Sequence, residues 1–348
     1  MELVEAEHDA VLLTSPESIC WLFNYRGGDI RHTPVAQAHA IVPAKGRPTL
    51  FIDAEKVGEP MRDALKPFTD IGAPDELDAA LTKLSKSGAK VRLDEGSASM
   101  HFANVLSAGG TKHVAGGDPC TLPKAIKTNA EQQGARSAQL RDGVAMARFL
   151  AWLDEVGETG RVDEVSAAIK LEEFRRETGQ LKDISFDTIA ASGPHGAIVH
   201  YRPTNDSKRV LDRNSLFLID SGGQYTDGTT DVTRTVAVGR PTAEMKRHYG
   251  LVLRCHIAIA SARFPEGSRG QDLDPFARGP LWAAGLDFDH GTGHGVGSYL
   301  SVHEGPQRIS RLATEELESG MILSNEPGFY REGQYGIRLE NLVLVRPA

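Results

Sequence analysis

The last third of the sequence carries four carboxylates and one imidazole, each in a strand-like segment or beside a glycine-rich turn. In chain order they are Asp220, Asp231, His294, Glu326 and Glu340. The segments that hold them read FLIDSGGQYTDGTTDVTRT, HGTGHGVG, SNEPGFY and GIRLENLVLV. A strand-end Asp or Glu taken alone is more often a turn residue. Together the five exceed what one small divalent ion uses, and they predict two ions that share bridging carboxylates.

The ligand types restrict both the metals and the reaction. Carboxylate oxygens and a single imidazole, without a thiolate, favour hard or borderline ions such as Mn²⁺, Co²⁺, Zn²⁺ or Mg²⁺. Two such ions close together would acidify a water between them and polarise a carbonyl group. Metal-assisted hydrolysis is therefore the reaction class that these residues indicate.

Two predicted β-hairpins would bring the carboxylates together. In the first, Asp220 ends the apolar run 216–220 and Asp231 opens the extended stretch 232–238, with glycines between them. In the second, residues 321–324 and 337–345 are the strands and the turn lies near Gly333, so that both glutamates flank the hairpin. Hairpins that face each other would converge all four carboxylates, and the histidine would complete the set.

These motifs resemble those of the Xaa-Pro aminopeptidases (aminopeptidase P) of metallopeptidase family M24, which also holds prolidase, methionine aminopeptidase and creatinase. The phrases DGTTDVTRT, HGTGHGVGS and VHEGP are similar to the long, multidomain form. The likeness is close from about residue 185 to residue 346 and weaker back to WLFNYRGGD near the start. The resemblance implies that the five residues above are the metal ligands, and we expect two divalent ions, Mn²⁺ first, with Zn²⁺ or Co²⁺ as alternatives.

The resemblance also implies catalytic roles for other residues. Glu326 would accept a proton from the metal-bridging water, and His303 would contact the substrate carbonyl. His200 and His290 would hold the substrate around its proline and stabilise the tetrahedral intermediate. Arg338, two residues before the last glutamate and hence on the same strand face, would support the bridging carboxylate.

The implied activity is release of the first residue from peptides with proline in the second position, by attack of a hydroxide that bridges the two ions. A proline amide has no N–H and a restrained φ angle, so it needs a site shaped for the ring. Prolidase, which requires a free carboxylate directly after the proline, stays open, since Arg202 and Arg331 can be neither assigned to that carboxylate nor excluded. A non-catalytic binding module of the same fold is the other alternative, and the intact ligand set argues against it.

Two departures from the family pattern stand out. His195 occupies a place in SGPHGAIVH where we expect asparagine, which concerns loop contacts and no metal ligand. The chain begins at what resembles the second domain of the long form and stops soon after the last metal ligand. We therefore expect a fragment, an engineered form or a naturally short member of the group.

Other catalytic motifs are incomplete in this sequence. The alternating glycines of GTGHGVG lack the spacing of a dinucleotide-binding loop and instead suggest close backbone approach around the histidine. His303-Glu304 is not followed by the second histidine of a helical zinc protease, and no G-x-S-x-G segment occurs. Dinucleotide-dependent, zincin-type and serine-hydrolase chemistry are therefore excluded.

Composition narrows the partners and the location. The formal net charge is −8 and the charges are interspersed, so there is no basic surface for nucleic acid and no polybasic patch for a membrane. The 3 cysteines are widely spaced without a CxxC pair, which predicts reduced core residues. Without an apolar signal segment or a membrane-length apolar run, the expected location is cytoplasmic. A homodimer is the candidate assembly.

Two domains of class α/β (α+β) are predicted. The first, residues 1–127, is an α/β domain that resembles the creatinase N-terminal domain. Its expected strands are 10–14, 39–42, 49–52 and 91–94. One helix is expected to start at Ser15 and another to span residues 55–65. Residues 128–348 form the catalytic domain, for which the resemblance implies the pita-bread fold. Its first helix starts at a capping box of Thr128 and Glu131. Apolar residues recur along it at helical spacing, at Leu140, Val144, Ala147 and Ala151. Further helices are predicted over 163–178 and 242–264.

Overall fold

The computed structural model describes residues 2–347 and divides into two compact units, Met1–Lys124 and Ala125–Ala348. The boundary predicted after Lys127 stays a prediction and lies close to this division. None of the helices within residues 2–347 combines the length and the apolar character needed to cross a membrane. Each unit has a hydrophobic core of its own.

The first unit is built on one six-stranded sheet. Its helices are α1 (Glu2–Glu5), α2 (Pro16–Leu22), α3 (Glu59–Leu65), α4 (Leu77–Lys86), α5 (Met100–Ala108) and α6 (Thr121–Ala125). Its strands are β1 (Ala10–Leu13), β2 (His39–Pro43), β3 (Thr49–Phe51), β4 (Asp70–Gly72), β5 (Val91–Leu93) and β6 (Val114–Ala115). The strand order is β4-β3-β2-β1-β5-β6, with β1 antiparallel to β2 and parallel to β5.

Local signals in the sequence account for much of this unit. The Ser15 side chain accepts a hydrogen bond from the amide of Ser18 at 3.4 Å, and Pro16 takes the first position of α2. The four predicted strands are confirmed as β1, β2, β3 and β5. The predicted helix 55–65 is shorter than expected, because Gly58 and Pro60 let the α-helix begin only at Glu59.

The second unit combines four helices with short strands. The helices are α7 (Asn129–Val156), α8 (Glu164–Arg176), α9 (Ala243–Ala260) and α10 (Gly270–Trp282). The strands are β7 (Asp183–Ile184), β8 (Ile189–Ser192), β9 (Ser215–Ser221), β10 (Gly223–Tyr225), β11 (Gly228–Thr229), β12 (Val232–Val238), β13 (Gly293–His294), β14 (Arg308–Ile309), β15 (Ile322–Asn325), β16 (Gly328–Arg331), β17 (Tyr335–Arg338) and β18 (Asn341–Leu344). Both predicted later helices are confirmed as α8 and α9, while α10 was not predicted.

The long helix α7 begins where the sequence predicts. The Thr128 hydroxyl accepts from the amide of Glu131 at 3.3 Å, and the Glu131 carboxylate accepts from the amide of Thr128 at 2.8 Å. The apolar stripe noted in the sequence is not its buried face, since Leu140 is 75% exposed and Val144 is 55% exposed. The buried face carries Ala138, Asp142, Ala145, Met146, Phe149 and Leu153.

Antiparallel strand pairs form the framework of the second unit. Strand β9 pairs with β8 on one side and with β12 on the other. Strand β15 pairs with β18, β16 pairs with β17, and β13 pairs with β14. All three cysteines of the chain are buried and free, which confirms the prediction of reduced core residues.

Candidate metal centre

Asp220 and Asp231 come from the antiparallel pair β9–β12. Strand β9 is buried over residues 216–221, and Asp220 faces Thr233 of β12 across the ladder. Asp231 precedes β12 directly. The turn between them requires a glycine, because a Cβ on Gly222 would lie 1.8 Å from the carbonyl oxygen of Thr230. The predicted convergence of the two aspartates is confirmed.

The two glutamates lie where the second predicted hairpin is interrupted. The structure has an outer pair, β15–β18, and an inner hairpin, β16–β17, in place of the single predicted pair of strands 321–324 and 337–345. Glu326 lies between β15 and β16, and Glu340 lies between β17 and β18. Pro327 has no N–H to continue the ladder. The amide of Glu326 donates to the Thr292 carbonyl at 2.8 Å, outside the hairpin. The amide of Glu340 donates to the Thr233 carbonyl at 3.2 Å.

His294 lies in β13 between two glycines that other segments approach closely. A Cβ on Gly293 would lie 1.9 Å from the carbonyl oxygen of Ser324. A Cβ on Gly295 would lie 2.1 Å from the carbonyl oxygen of Glu304. The close backbone approach expected around this histidine is therefore confirmed, and it explains the alternating glycines.

The imidazole of His294 is oriented by its own backbone neighbour. Its Nδ1 lies 2.9 Å from the carbonyl oxygen of Gly295, and because a carbonyl only accepts, Nδ1 carries a proton. Its Nε2 lies 3.2 Å from Glu326 Oε1 and 3.5 Å from Asp231 Oδ2. Nε2 therefore faces the carboxylates and is the nitrogen that can bind a metal.

The five predicted ligands form one group, called here the carboxylate cluster. Ligand atoms of Asp220, Asp231 and Glu340 lie within 4.8 Å of one another. Those of His294, Glu326 and Glu340 also lie within 4.8 Å of one another. Glu340 belongs to both sets, so the five side chains together would hold two ions.

Unsatisfied oxygens show that the cluster fits cations. Asp220 Oδ1, Asp231 Oδ1 and Glu340 Oε1 are buried and find no hydrogen-bond donor within residues 2–347. Burying an ionised carboxylate without a partner is costly. Carboxylate oxygens of this kind are preferred by hard and borderline divalent ions. The side chains present therefore fit two divalent metals.

The pKa values report the same excess of negative charge. Burial, together with the nearby Asp220 carboxylate, raises the pKa of Asp231 to about 7. Burial and the neighbouring carboxylates also raise the pKa of Glu340. Burial acts on Glu326 in the same sense, but the hydrogen bond and positive charge of His294, together with the charge of Arg338, outweigh burial and lower the pKa of Glu326 to about 2. Cations that balance this charge would favour the ionised forms of Asp231 and Glu340.

Arg338 supports Asp220 from the side. Its buried guanidinium places Nη2 2.7 Å from Asp220 Oδ2. The strand-face argument that linked it to Glu340 does not hold, because β17 ends at Arg338 and Glu340 lies beyond the interruption. The Glu340 carboxylate instead accepts from the hydroxyl of Thr233 at 2.6 Å.

Tyr330 extends this contact and was missed by sequence reasoning. Its hydroxyl accepts from Arg338 Nη1 at 2.7 Å and lies 2.8 Å from Nε2 of His290. His290 Nδ1 lies 2.8 Å from the carbonyl oxygen of Gly291, which must accept. Nε2 then accepts the tyrosine proton, so Tyr330 links His290 to the guanidinium that holds Asp220. The tyrosine lies four residues after Glu326 in SNEPGFY, and this proximity was the one available signal.

The cluster opens into a cavity of about 900 Å³. The three predicted catalytic histidines, His200, His290 and His303, all line it. The ring of His303 stands nearly perpendicular to that of His294, with centroids 4.1 Å apart. Burial and the positive charge of His294 lower the pKa of His303 to about 4. The apolar side chains that line the same cavity are Phe186, Ile189, Val199, Phe288 and Val302.

The two arginines considered as carboxylate clamps differ in position. Arg202 lines the cavity and lies 3.0 Å from Asp187 Oδ2. Arg331 is paired with Glu244 and is not among the residues that line the cavity in the described part of the chain. Of these two arginines, Arg202 is therefore the one placed to meet a substrate.

His195, the departure from the family pattern, lies in a buried network. Its Nδ1 is 2.9 Å from Glu164 Oε1. The same carboxylate accepts from the amide of Ser192 at 2.7 Å and from the hydroxyl of Tyr201 at 3.0 Å. This network ties the loop that carries His200 to the first turn of α8.

Family comparisons agree with this geometry. The family described as the creatinase/prolidase N-terminal domain matches residues 1–131, and metallopeptidase family M24 matches residues 133–347. The second match covers more than half of the chain. The chain therefore belongs to metallopeptidase family M24, and the predicted pita-bread fold with a creatinase-type N-terminal domain is confirmed.

Named relatives are similar over almost all of this chain. A probable Xaa-Pro aminopeptidase P of Sordaria macrospora is 43% identical over 99% of the chain and 58% of the relative. Aminopeptidase P2 of Arabidopsis thaliana is 40% identical over 100% of the chain and 53% of the relative. The chain thus spans about half the length of the curated relatives it matches.

A solved structure is similar as well. An X-prolyl aminopeptidase of Caenorhabditis elegans, described as a cytosolic enzyme with a di-nuclear active site, gives a TM-score of 0.92. It is 37% identical and covers 99% of this chain and 57% of its own. A prolidase of Pyrococcus furiosus, with a TM-score of 0.78 and 24% identity, shares the fold.

Proposed function

We propose that this chain carries the active site of a metal-dependent aminopeptidase that releases the first residue of peptides with proline in the second position. The observation that carries the proposal is the carboxylate cluster at the wall of a cavity lined by three histidines. Relatives named for this activity, at 43% and 40% identity, support the choice of substrate.

We infer that the carboxylate cluster holds two divalent ions, Mn²⁺ in preference and Zn²⁺ or Co²⁺ as alternatives. The ligands would be Asp220, Asp231, His294, Glu326 and Glu340. When bound, such ions supply Lewis acidity and lower the pKa of water. A donor set of four carboxylates and one imidazole supports Mn²⁺, and the di-nuclear site of the Caenorhabditis elegans relative supports the count.

Glu326 would act as the base. Its carboxylate accepts from Ser324 Oγ at 2.9 Å, which orients it in the cluster. It would take a proton from the attacking water as the new C–O bond forms at the carbonyl of the first residue. The same proton would pass to the proline nitrogen as the C–N bond breaks. That nitrogen carries no hydrogen in the peptide, so it needs this proton to leave as a neutral secondary amine.

His303 would stabilise the oxygen of the carbonyl under attack. A neutral imidazole beside His294 can donate one hydrogen bond to that oxygen as it becomes negative. His200 and His290 would lie against the proline, where Val199 and Phe288 offer apolar contact. The cavity thus combines a polar end, at the cluster, with a less polar wall for the ring.

Prolidase is the second candidate. It would need a cationic group for the carboxylate after proline, and Arg202 is the arginine of the two that lines the cavity. Because Arg202 already pairs with Asp187, its capacity for a second carboxylate is reduced. The longer peptide is the favoured substrate because the similar proteins of Sordaria macrospora and Caenorhabditis elegans are named as Xaa-Pro or X-prolyl aminopeptidases.

We further propose a cytoplasmic location, which is supported by the cytosolic description of the Caenorhabditis elegans relative. A homodimer stays a prediction, to be tested by light scattering of the purified protein.

Product analysis tests the proposed function. Chelator-stripped protein would be incubated with Xaa-Pro-Yaa peptides, Xaa-Pro dipeptides and a matched Xaa-Ala-Yaa peptide, with and without Mn²⁺, and the products identified by mass spectrometry. We expect Mn²⁺-dependent loss of one residue from Xaa-Pro-Yaa alone or in strong preference. Cleavage confined to dipeptides would establish prolidase instead, and no cleavage with any divalent metal would reject both enzymes.

A further inference from the structure

A buried ion pair outside the carboxylate cluster joins two distant parts of the second unit. Lys127 Nζ lies 2.7 Å from Glu304 Oε2, and the two side chains are 1% and 2% exposed. Lys127 precedes α7, whereas Glu304 directly follows His303. Burying two charges costs several kcal/mol, so such a pair contributes little net stability. Its position beside a cavity residue points to a role in geometry.

The lysine end of the pair is fixed by backbone contacts. The amide of Lys127 donates to the carbonyl of Gly320 at 3.0 Å, and the Lys127 carbonyl accepts from Gln132 Nε2 at 2.9 Å. Ile126 and Met321 form an antiparallel bridge beside it. Since Met321 leads into β15, which ends just before Glu326, the ammonium has a fixed position relative to the carboxylate cluster.

The glutamate end holds a loop closed over residues 295–305. The amide of Glu304 donates to the carbonyl of Gly295 at 2.8 Å. The amide of Gly297 donates to the carbonyl of Ser301 at 2.9 Å. A Cβ on Gly297 would lie 2.9 Å from Glu304 Oε1. The loop is thus packed directly against the buried carboxylate and begins beside His294.

His303 depends on its neighbours for its position. It is exposed to the cavity, while Val302 and Glu304 on either side are 8% and 4% exposed. Within residues 2–347 its ring makes no side-chain hydrogen bond, and its ring contact is the one with His294. The buried flanking residues must therefore set where the imidazole lies.

We propose that Lys127 is a positioning residue: its ammonium anchors Glu304 and thereby fixes the loop that presents His303 to the substrate. This inference rests on the proposed function. The effect of Lys127 on turnover would pass through His303.

A double-mutant cycle tests the proposal. Lys127→Met keeps an unbranched side chain, one atom shorter, and removes its charge, and we expect a fall of about 10²-fold in kcat for Xaa-Pro-Yaa, as a misplaced catalytic group gives. His303→Ala should cost at least as much. If Lys127 acts through His303, the double variant will be no slower than His303→Ala within about twofold. Losses that multiply would overturn the proposal.

Hydrogen–deuterium exchange gives a second readout that needs no substrate. In Lys127→Met we expect faster exchange over residues 295–305, where the Glu304 amide is bonded, and unchanged exchange in β9. The metal content should equal that of the unchanged protein. Protection of residues 295–305 that stays as before would show that Lys127 does not fix the loop.

Two further variants keep the test decisive. Should Lys127→Met fail to fold because Glu304 is left unpaired, Lys127→Met with Glu304→Gln buries no charge and enters the same cycle. Arg141→Met is the control, since it removes an ion pair between α7 and Asp227, 2.9 Å long and outside residues 295–305, and it should change neither kcat nor loop exchange. If the unchanged protein cleaves no Xaa-Pro peptide, the proposed function fails, while the exchange experiment still decides the anchoring.

Discussion

Two buried polar clusters of the second unit differ in how their charges are balanced. In the arginine cluster, Arg175 Nε and Nη2 donate to the two oxygens of Asp142 at 2.7 and 2.9 Å. The hydroxyl of Tyr225 donates to Asp142 Oδ1 at 2.7 Å. One positive charge meets one negative charge, and both carboxylate oxygens are used. The carboxylate cluster instead sets four carboxylates against one guanidinium and one imidazole.

The balance of charge distinguishes a buried ion pair that is part of the structure from buried carboxylates that can bind metal. Both clusters are largely inaccessible to solvent, so burial by itself does not mark a metal site. The arginine cluster leaves no carboxylate oxygen of Asp142 unsatisfied, whereas the carboxylate cluster leaves three oxygens without a donor within residues 2–347. An excess of buried negative charge favours cation binding. Without cations, the same excess destabilises the folded protein.

Removing a shared ligand should have the largest effect. Glu340→Gln takes away the carboxylate that belongs to both ligand sets. We expect loss of bound Mn²⁺ and a fall in kcat/KM of more than about 100-fold, beyond what outer partners of metal ligands give. Metal analysis and peptide cleavage on the same preparation check this. A variant that kept both ions and full turnover would remove Glu340 from the ligand set.

Arg338→Met should have the next largest effect. It removes the partner of Asp220 and of Tyr330 but leaves every proposed ligand in place. We expect metal affinity or turnover to fall by about 10- to 100-fold. Titration with Mn²⁺ and steady-state kinetics separate the two. Unchanged affinity together with unchanged kcat would show that the guanidinium does not support the site.

Arg175→Met should lower the stability of the protein more than its metal binding. It leaves the Asp142 carboxylate buried without its partner, so stability should fall by about 3–5 kcal/mol. Metal content should change far less than in Glu340→Gln, because the arginine cluster supplies no ligand and its one contact beside Asp220 is the hydrogen bond from Arg175 to the Ser221 carbonyl at 3.3 Å. Denaturant unfolding and metal analysis provide the comparison. The double change Asp142→Leu with Arg175→Met should restore part of the stability, and loss of metal in either variant would break the distinction between the clusters.

The smallest effect concerns pH and the metal-free protein. Burial and the Asp220 carboxylate raise the pKa of Asp231 to about 7, so the folded state holds this proton more tightly than the unfolded chain does. The stabilisation is present at low pH and is lost as the pH rises from the ordinary value of about 4 through about 7. We expect the melting temperature of metal-free protein to fall over this range. Saturating Mn²⁺, which replaces the proton, should flatten the slope.

The sequence specified the first hairpin of the site well and the second less well. The apolar run 216–220, the extended stretch 232–238 and the glycines between them predicted the β9–β12 pair, where both aspartates meet as expected. The predicted strand 321–324 is confirmed as β15, whereas the stretch 337–345, predicted as one strand, breaks at Glu340. Pro327 was a local signal of the interruption between β15 and β16, whereas the hydrogen bonds that replace the ladder go to Thr292 and Thr233, which no local pattern reveals.

Helices show a similar limit. Capping residues located the starts of α7, α8 and α9, since a cap is a local interaction. Helix α10 was missed because Pro275 and Pro280 lie inside it and prolines argue against a helix. The buried face of α7 carries Asp142, whose acceptance in the core depends on Arg175 of another helix. The hydrophobic periodicity of one helix cannot predict an ion pair with a residue on another helix.

Counting the ions is the most direct test of the central claim, that unbalanced buried carboxylates form a two-metal site. Metal-free protein would be titrated with Mn²⁺ by calorimetry, with the stoichiometry checked by elemental analysis, beside Arg175→Met as a folded control. We predict two ions per chain in both proteins. One ion, or none, in protein that is shown to be folded would contradict the account.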